Sequence, residues 1–490
     1  MIFKVKLLKL LIFIAWCLLV GGCSDINGSF FCEERYALIK LSADGILTMS
    51  PSGSHPIVQY KGRFNRTYFG YYTTSNKIVM HWFDNNNSIL SEPKVLWENW
   101  GYNSAGNELG DDHANPSIII LKNQKGDYTK HNGKILVAAA EHGSGRMKRG
   151  RLEVMRGLFP EAIDRWEQPV SLRDTRATYA RIIEMDNGTL FLFCRLSRVA
   201  PNSRATFFFW KSYDAGDTWT EGEPLIDAAQ GTDDAIYITV DTDKKCRNLH
   251  VAANRVDYNN PSEGVSRYRD IYYLQYRSKT RTWHHANGEL LGDPPFYLDE
   301  LDKVYESESN TGSEDWTYVS DIKVTSTQPH IVSITDHDCM SADVLSNPRS
   351  VNIYYHTFRD ESWHTEKVGE SSRGKSVGFH YPTMATIISL YPISILGFIK
   401  SGKGSIPVCY IRQGSKWIFD DKFPRLSNPK GVHARPFTTG FKDTGLVAIW
   451  SRITEYHGTP YTKWVSDVIG LVNIHPDNIS IENNEAFEQF

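Results

Sequence analysis

The chain has 490 residues, of which 12% are aromatic, and it contains 36 Gly and 13 Trp. This composition supplies a large hydrophobic core and excludes intrinsic disorder. The net charge of −3 excludes the broad basic excess of nucleic-acid-binding proteins, so any affinity for an acidic ligand needs a local basic patch.

The N-terminal segment has the three parts of a secretory signal. The charged part contains Lys4, Lys6 and Lys9. The apolar part, residues 10–20, is too short to span a membrane. It ends in Gly-Gly-Cys, which resembles a bacterial lipobox and predicts lipidation of Cys23; an ordinary signal peptide is the alternative. We therefore expect a signal over residues 1–22, a lipidated tether over 23–35, and a cell-envelope lipoprotein of the outer membrane that faces the periplasm or the surface.

The cysteines outside the signal do not form a disulfide framework. They are Cys32, Cys194, Cys246, Cys339 and Cys409. Their odd number and irregular spacing indicate that packing, not cross-linking, holds the exported fold.

Short apolar runs flanked by Gly, Asn, Asp or Pro recur along the rest of the chain, and they predict an all-β protein. The runs are residues 37–41, 77–80, 134–138, 189–193, 236–240, 248–251, 271–274, 330–334, 351–355 and 446–450. The sequence shows no long amphipathic helix. Antiparallel meanders of this kind build a sandwich, a barrel or a propeller.

An internal repeat favours the propeller. Residues 212–219 read Ser-Tyr-Asp-Ala-Gly-Asp-Thr-Trp, which fits the Asp-box (BNR) hairpin, whose Trp packs between blades. Degenerate echoes end at Trp283, Trp363 and Trp417, at intervals of 54 to 80 residues. Such spacing predicts a seven-bladed β-propeller of four-stranded antiparallel blades over residues 36–475, followed by a C-terminal tail over 476–490.

Four residues that suit acid–base or anion chemistry lie at predicted strand ends. His113 stands in Asp-Asp-His-Ala-Asn-Pro-Ser before a β-branched run, and His142 stands in Glu-His-Gly after one. Tyr179 and Arg195 lie at equal distances from a turn centred on Asn187, so we expect them to face each other across two strands. Each of these residues, taken alone, is also compatible with a purely structural role.

Further polar residues near these motifs are candidates for binding an anionic substrate. They are Asn115, Arg146, Arg176 and Arg181.

The series of motifs resembles the BNR-repeat polysaccharide lyases with a seven-bladed propeller, the group of ulvan lyases and L-rhamnosyl-glucuronate lyases. The resemblance runs from about Tyr68 to Pro224 and more loosely to about Val472. It implies that the four matching positions form the active site. They are His113, His142, Tyr179 and Arg195.

These residues suit β-elimination at a uronic acid. Arg195 would neutralise the carboxylate, with help from His113 or His142. Tyr179 would act as the acid and would share the role of base with the other histidine. The polymer itself and endo or exo action stay open.

Two alternatives remain at this point. One is a propeller glycoside hydrolase, either α-L-rhamnosidase-like or sialidase-like, with His55 or His81 as further candidates; the sialidase Arg-Ile-Pro motif is missing. The other is a non-catalytic surface glycan-binding protein.

We expect an anionic polysaccharide as partner, a membrane contact through the lipid anchor, no nucleic acid, and a monomer. We expect no organic cofactor, because the sequence has no nucleotide-binding glycine loop. For a structural zinc of the kind reported in parts of the group, Cys246 and His250 are the only nearby pair, too few for a site.

Overall fold

Strands account for nearly all regular structure in the computed structural model. The model describes residues 35–45, 47, 54–100, 113–142, 150–173, 176–197, 205–227, 234–257, 267–307, 309–310, 313–337, 349–373, 384–401, 404–420, 423, 437–438, 445–455 and 465–474. Within these ranges the only helices are two 3₁₀ turns, η1 (Gly126–His131) and η2 (Leu298–Glu300). No helix in the described part of the chain is long and apolar enough to cross a membrane. The predicted signal, Cys23, the C-terminal tail and the predicted tether up to residue 34 lie outside the described residues, whereas Arg35, placed in the tether by the prediction, already begins a strand.

The first three blades follow one another directly along the chain. Blade 1 contains β2 (Ile57–Lys61), β3 (Asn65–Tyr72), β4 (Ile78–Asp84), β5 (Ile89–Leu90) and β6 (Lys94–Trp97); blade 2 contains β7 (Ser117–Ile120), β8 (Lys134–Ala140), β9 (Leu152–Pro160) and β10 (Val170–Arg173); blade 3 contains β11 (Ala177–Glu184), β12 (Leu190–Ser197), β13 (Ala205–Ser212) and β14 (Glu223–Asp227).

Blade 4 has extra short strands beyond its first three. It contains β15 (Ala235–Thr242), β16 (Asn248–Asp257), β17 (Arg267–Arg277), β18 (Thr282–His284), β19 (Leu290–Gly292), β20 (Phe296–Tyr297) and β21 (Asp302–Tyr305), and a hairpin of β22 (Ser309–Asn310) and β23 (Ser313–Glu314) follows it. Both β18 and β21 pair with β17, while β20 pairs with β14 of blade 3.

The last three blades complete the ring. Blade 5 contains β24 (Trp316–Thr325), β25 (Gln328–Asp336), β26 (Arg349–Arg359) and β27 (Ser362–Arg373); blade 6 contains β28 (Thr386–Leu390), β29 (Ile393–Ser401), β30 (Gly404–Gln413) and β31 (Lys416–Asp420); blade 7 contains β32 (Phe437–Thr438), β33 (Gly445–Glu455), β34 (Val465–Ile474) and β1 (Arg35–Ser42). Because β1 is the outer strand of blade 7, the two ends of the described chain share one sheet.

The first strands of successive blades contact one another in a closed series, from β2 through β7, β11, β15, β24, β28 and β32 back to β2. This confirms the prediction of a seven-bladed propeller. The blades pack on both faces, which is why their strands appear as continuous apolar runs rather than alternating ones; every residue of β11 and β12 is buried.

The repeated tryptophans pack between blades, as the Asp-box comparison predicts. Trp283 of blade 4 lies 6.2 Å from Phe209 of blade 3, measured between ring centroids. Trp363 of blade 5 lies 5.1 Å from Tyr273 of blade 4. Trp417 of blade 6 lies 5.4 Å from Tyr355 of blade 5, so one aromatic contact recurs at each of these boundaries.

The Asp-box turn of blade 3 also holds a neighbouring blade. Within the turn, Asp214 accepts hydrogen bonds from the backbone N–H and the hydroxyl of Thr218. Arg156 of blade 2 contacts Asp217 at 2.6 Å and donates to the Ala215 carbonyl at 2.8 Å. The Asp-box therefore clamps blade 3 to blade 2.

Candidate active site

First strands begin, and second strands end, at the same face of the propeller. This face carries His113 before β7, His142 after β8, Tyr179 near the start of β11 and Arg195 near the end of β12. The Asp-box joins the third and fourth strands of its blade and lies on the opposite face, away from these residues.

The two predicted histidines stack on each other. The ring centroids of His113 and His142 are 4.0 Å apart, and the planes differ by 11°. Both residues are partly exposed. His113 also lies 5.2 Å from the ring of Tyr179, so the residues of blades 2 and 3 meet in one cluster.

Tyr179 reaches this cluster through a β-bulge, which corrects one detail of the sequence prediction. Arg195 pairs with Thr178, not with Tyr179, and the regular register resumes at Arg181 opposite Phe193. Tyr179 has a left-handed backbone, with φ of +62°. That conformation is unfavourable for a bulky residue and is typical of functional sites, where surrounding structure maintains it.

Arg195 packs against two neighbouring tyrosine rings. Its guanidinium carbon is 4.7 Å from the ring centroid of Tyr179 and 4.6 Å from that of Tyr237, and the two ring centroids are 5.8 Å apart. The arginine side chain is largely buried, with 6% relative exposure. A cation that packs against two aromatic rings keeps a defined orientation and loses much of its hydration, so it is prepared to bind an anion.

Sequence reasoning missed Tyr237, which lies near the start of β15 in blade 4. Burial alone would raise the pKa of its hydroxyl, but the charges of Arg195 and His113 and a hydrogen bond from Tyr268 lower that pKa to about 7. A signal for it was present, because Tyr179, Tyr237 and Tyr318 are each the third residue of the first strand of their blade.

The loop that carries His142 is tied to the next strand of its blade. Glu141 exchanges backbone contacts with Arg151 and accepts hydrogen bonds from Arg151 Nε at 3.1 Å and Nη2 at 2.8 Å. The Arg151 guanidinium in turn lies 4.5 Å from the ring centroid of Trp100. The Glu141 carboxylate is thus held by Arg151, and it positions the neighbouring His142.

The predicted substrate-binding residues fall in different places. Asn115 is buried beneath His113 and accepts a hydrogen bond from the Tyr72 backbone N–H at 3.2 Å. Arg181 is also buried and donates to the Val240 carbonyl at 3.0 Å, further along β15 than Tyr237. Arg176 is exposed just before β11. Arg146 lies outside the described residues.

The two histidines considered for hydrolysis lie in blade 1. His81 is a core residue, because its ring nitrogens contact Ser91 O and Tyr71 Oη at 2.9 Å each and its ring stacks on Phe69. Burial lowers the pKa of His81. His55 is partly buried just before β2, and its carbonyl accepts a hydrogen bond from a backbone N–H of β7.

Cys246 and His250, the pair considered above for a zinc site, each contact other residues. His250 is buried in β16, where Nδ1 lies 2.5 Å from the Tyr273 hydroxyl, and burial lowers its pKa to about 3. Cys246 lies in the preceding turn beside the hydroxyl of Thr242. Among the described residues, no group of three or more His, Cys, Asp and Glu could hold a metal ion.

The fold and the Asp-box define the class of this protein as a seven-bladed propeller with BNR repeats. The model of the family described as "BNR repeat-containing family member" matches residues 66–371. The chain belongs to this family.

Individual relatives agree with that assignment. The chain is 23% identical to the ulvan lyase of Nonlabens ulvanivorans over an alignment of 434 residues that covers 80% of this chain and 81% of the relative. Among solved structures, a PL25 ulvan lyase superposes with a TM-score of 0.66 at 16% identity, covering 90% of this chain and 96% of that one. The polysaccharide lyase Uly1 superposes with a TM-score of 0.58 at 11% identity, covering 90% and 99%.

Proposed function

We propose that this protein is a polysaccharide lyase that cleaves a uronic-acid-containing glycan by β-elimination. The observation that carries the proposal is the guanidinium of Arg195, packed against the rings of Tyr179 and Tyr237 beside the stacked histidines. The similarity to ulvan lyase over most of both chains supports the same reaction class.

Elimination begins at the carboxylate of the uronic acid. The proton at C5 is only weakly acidic, and its removal places negative charge on the adjoining carboxylate. Arg195 would bind this group with two parallel hydrogen bonds, and an imidazole N–H of the histidine pair would add to its effect. The cation thus stabilises the transition state where charge develops.

The proton transfers then fall to the two tyrosines. Tyr237, whose pKa is about 7, supplies a phenolate that takes the C5 proton. The electron pair of that C–H bond forms the C4–C5 double bond, and the C4–O4 bond breaks. Tyr179 donates its phenolic proton to O4 of the departing sugar, so charge and atoms balance.

A hydrolase is less compatible with this geometry. Most glycoside hydrolases need two carboxyl groups on either side of the scissile bond. Among the residues that the structure describes at this cluster, Glu141 is bound to Arg151, and the groups that converge are imidazole, phenol and guanidinium. These are donors and bases that act on an anionic sugar.

The proposed substrate is a polymer of the ulvan type. One solved PL25 ulvan lyase structure contains the fragment -[GlcA(1-4)Rha3S]-. That repeat supplies a uronate and a sulfated rhamnose, and the elimination requires that the neighbouring sugar be attached at O4 of the uronate.

The direct test follows ultraviolet absorbance, because β-elimination creates an unsaturated uronate. Residues 24–490 would be mixed with ulvan and with other uronic-acid polysaccharides. We expect absorbance to rise with ulvan for the wild type. We expect Arg195→Ala and His142→Ala to reduce the rate at least about a hundredfold. Arg247→Ala, which removes an exposed arginine from the β15–β16 turn, is the matched control and should retain the rate.

Release of reducing sugar without ultraviolet absorbance would contradict the elimination and support a hydrolase. Binding to the polymer without any product would support a glycan-binding protein.

We also propose that Cys23 carries a lipid anchor that holds a monomeric enzyme at the outer membrane. The lysines, the apolar stretch and Gly-Gly-Cys support this location. Labelling of the full chain with radioactive palmitate in a bacterial host, lost in Cys23→Ser, tests it. Equal labelling of the two chains would contradict it.

A further inference from the structure

Blade 5 carries a polar pair at the positions that the two histidines occupy in blade 2. Asp315 directly precedes β24, the first strand of its blade, and His337 directly follows β25, the second strand. His113 and His142 likewise precede β7 and follow β8. Because the blades repeat one topology, the Asp315–His337 pair lies on the face that carries the candidate active site.

The pair is built around a buried carboxylate. Asp315 Oδ1 lies 2.7 Å from His337 Nδ1, and the side chains have 7% and 40% relative exposure, respectively. The carboxylate fixes Nδ1 as the protonated nitrogen and orients the ring. The other nitrogen, Nε2, lies 3.2 Å from the hydroxyl of Tyr354. An oriented imidazole and a phenol therefore meet at a partly exposed position.

An aromatic platform adjoins this cluster. The rings of Tyr305 and Tyr354 stack with centroids 5.8 Å apart and planes 28° from parallel, and both residues are partly exposed. Aromatic rings next to hydrogen-bonding groups suit sugars, which have both apolar faces and polar edges.

A row of tyrosines connects the two places. The Tyr237 and Tyr268 rings are 5.4 Å apart, and the Tyr268 and Tyr318 rings are 4.4 Å apart. Tyr318 belongs to β24, three residues beyond Asp315. The row passes from the Arg195 cluster across blade 4 to blade 5, so both polar clusters border the same end of the propeller.

We propose that Asp315, His337 and Tyr354 form a second glycan-binding subsite, which takes the carboxylate or sulfate ester of a sugar remote from the one being cleaved. The inference rests on the proposed lyase function, because a polymer with an anionic group in every repeat can occupy both clusters. Asp315 positions the imidazole, and His337 with Tyr354 contacts the anion.

The kinetic test uses the full enzyme with ulvan and with short oligosaccharides made from it. His337→Gln should raise KM for ulvan about tenfold, the effect of one charge-assisted hydrogen bond, and leave kcat unchanged. KM for the shortest cleaved oligosaccharide should not change, because that substrate does not reach blade 5. His337→Lys, which supplies an N–H donor to the anion, should restore most of the affinity for ulvan, whereas a merely structural role for His337 predicts no such rescue.

Binding alone separates this proposal from the lyase proposal. In native gels that contain ulvan, the wild type should be retarded, and His337→Gln and Tyr354→Phe should migrate faster than the wild type. A gel with neutral xyloglucan is the control and should show no difference. Equal retardation of wild type and His337→Gln in ulvan, or equal KM values, would overturn the subsite while leaving the lyase intact. Retardation without unsaturated product would overturn the lyase alone.

Discussion

Tyr237 shows how a residue with no motif acquires a chemical role. Its phenol is buried, and burial alone opposes ionisation. The guanidinium of Arg195 lies 4.6 Å from its ring centroid, and the hydroxyl accepts a hydrogen bond from Tyr268. Because these favourable interactions outweigh the cost of burial, the phenolate is available near neutral pH.

Replacing Tyr237 by Phe should therefore lower kcat about a hundredfold or more while the fold persists. In the wild type, kcat/KM should rise with pH through about 7, because the base of the free enzyme must lose its proton. This rise of the rate with pH should be absent in Tyr237→Phe. Steady-state rates from pH 5.5 to 9 check this, and circular dichroism confirms folding.

Tyr268→Phe provides the matched variant. It removes a hydrogen bond to the phenolate, so the rise of kcat/KM should move to higher pH without disappearing. If the rise of the rate near pH 7 persists unchanged in Tyr237→Phe, another group is the one that titrates.

The sequence predicted the contact among His113, His142, Tyr179 and Arg195 because each stands in a recognisable motif at a strand end. It missed Tyr237 because Ala-Ile-Tyr-Ile-Thr-Val looks like any buried strand. Only the comparison of the third residue in successive first strands shows that this position recurs. Side-chain pKa shifts depend on which blades meet, so the sequence did not reveal the ionisable phenol.

At the level of elements, the loop after β8 depends on one ion pair. Glu141 is 2% exposed and receives the Nε and Nη2 groups of Arg151 together with its backbone N–H. The geometry fixes the chain immediately before His142. Breaking this pair is costly on the side of Glu141, because a buried carboxylate is left unpaired, whereas Arg151 is 37% exposed.

Glu141→Gln should therefore lower kcat/KM by about tenfold, since a misplaced imidazole weakens the stabilisation of the carboxylate. Ultraviolet rates with ulvan measure the effect. Asp217→Asn is the paired control on the opposite face, because it weakens only the contact between Arg156 and the Asp-box. It should lower Tm and leave kcat/KM unchanged. Equal rates for Glu141→Gln and wild type would show that the ion pair does not position His142.

For the elements, the local pairing register of the strands could not be predicted from the sequence. Equal spacing around Asn187 placed Tyr179 opposite Arg195, but the bulge shifts the pairing by one residue. A bulge arises from contacts with adjacent strands, such as the hydrogen bond from Ala177 N to the Gly150 carbonyl. These contacts join separate segments of the chain, so the residue pattern within one segment does not reveal them.

Across the whole molecule, several buried histidines are held neutral. Burial lowers the pKa of His250 and His356 to about 3 and that of His330 to about 4. Unfolded histidine titrates near 6.5. Protonation therefore favours the unfolded chain, and the stability that these residues support is present above about pH 6.5 and is lost as pH falls toward 4 and 3.

The free energy of unfolding should accordingly decrease between pH 7 and pH 4.5, as measured by urea denaturation. His356→Gln should show a smaller decrease than wild type, because Gln keeps hydrogen-bonding capacity toward Ser333 and Thr365 but does not titrate. His364→Gln, at a partly exposed position with a neighbouring-strand contact, serves as control and should keep the wild-type slope. If the free energy of unfolding of His356→Gln decreases with pH as steeply as that of the wild type, another group causes the loss of stability.

The number of blades could be predicted because tryptophans recur where sheets meet, and each echo contacts an aromatic ring of the preceding blade. The additional short strands of blade 4 could not, since segments of two to four residues have no periodicity.

Ring closure has a consequence for biogenesis. The outer strand of the last blade is β1, whose Arg35 pairs with Ile474. A strand made first therefore waits for one made last, and loop-closure entropy delays that pairing until almost the entire polypeptide is available. The N-terminal segment predicts that the precursor is exported unfolded. Late closure of the ring favours such export, because the sheet that completes the ring cannot form before translocation has delivered the final strand.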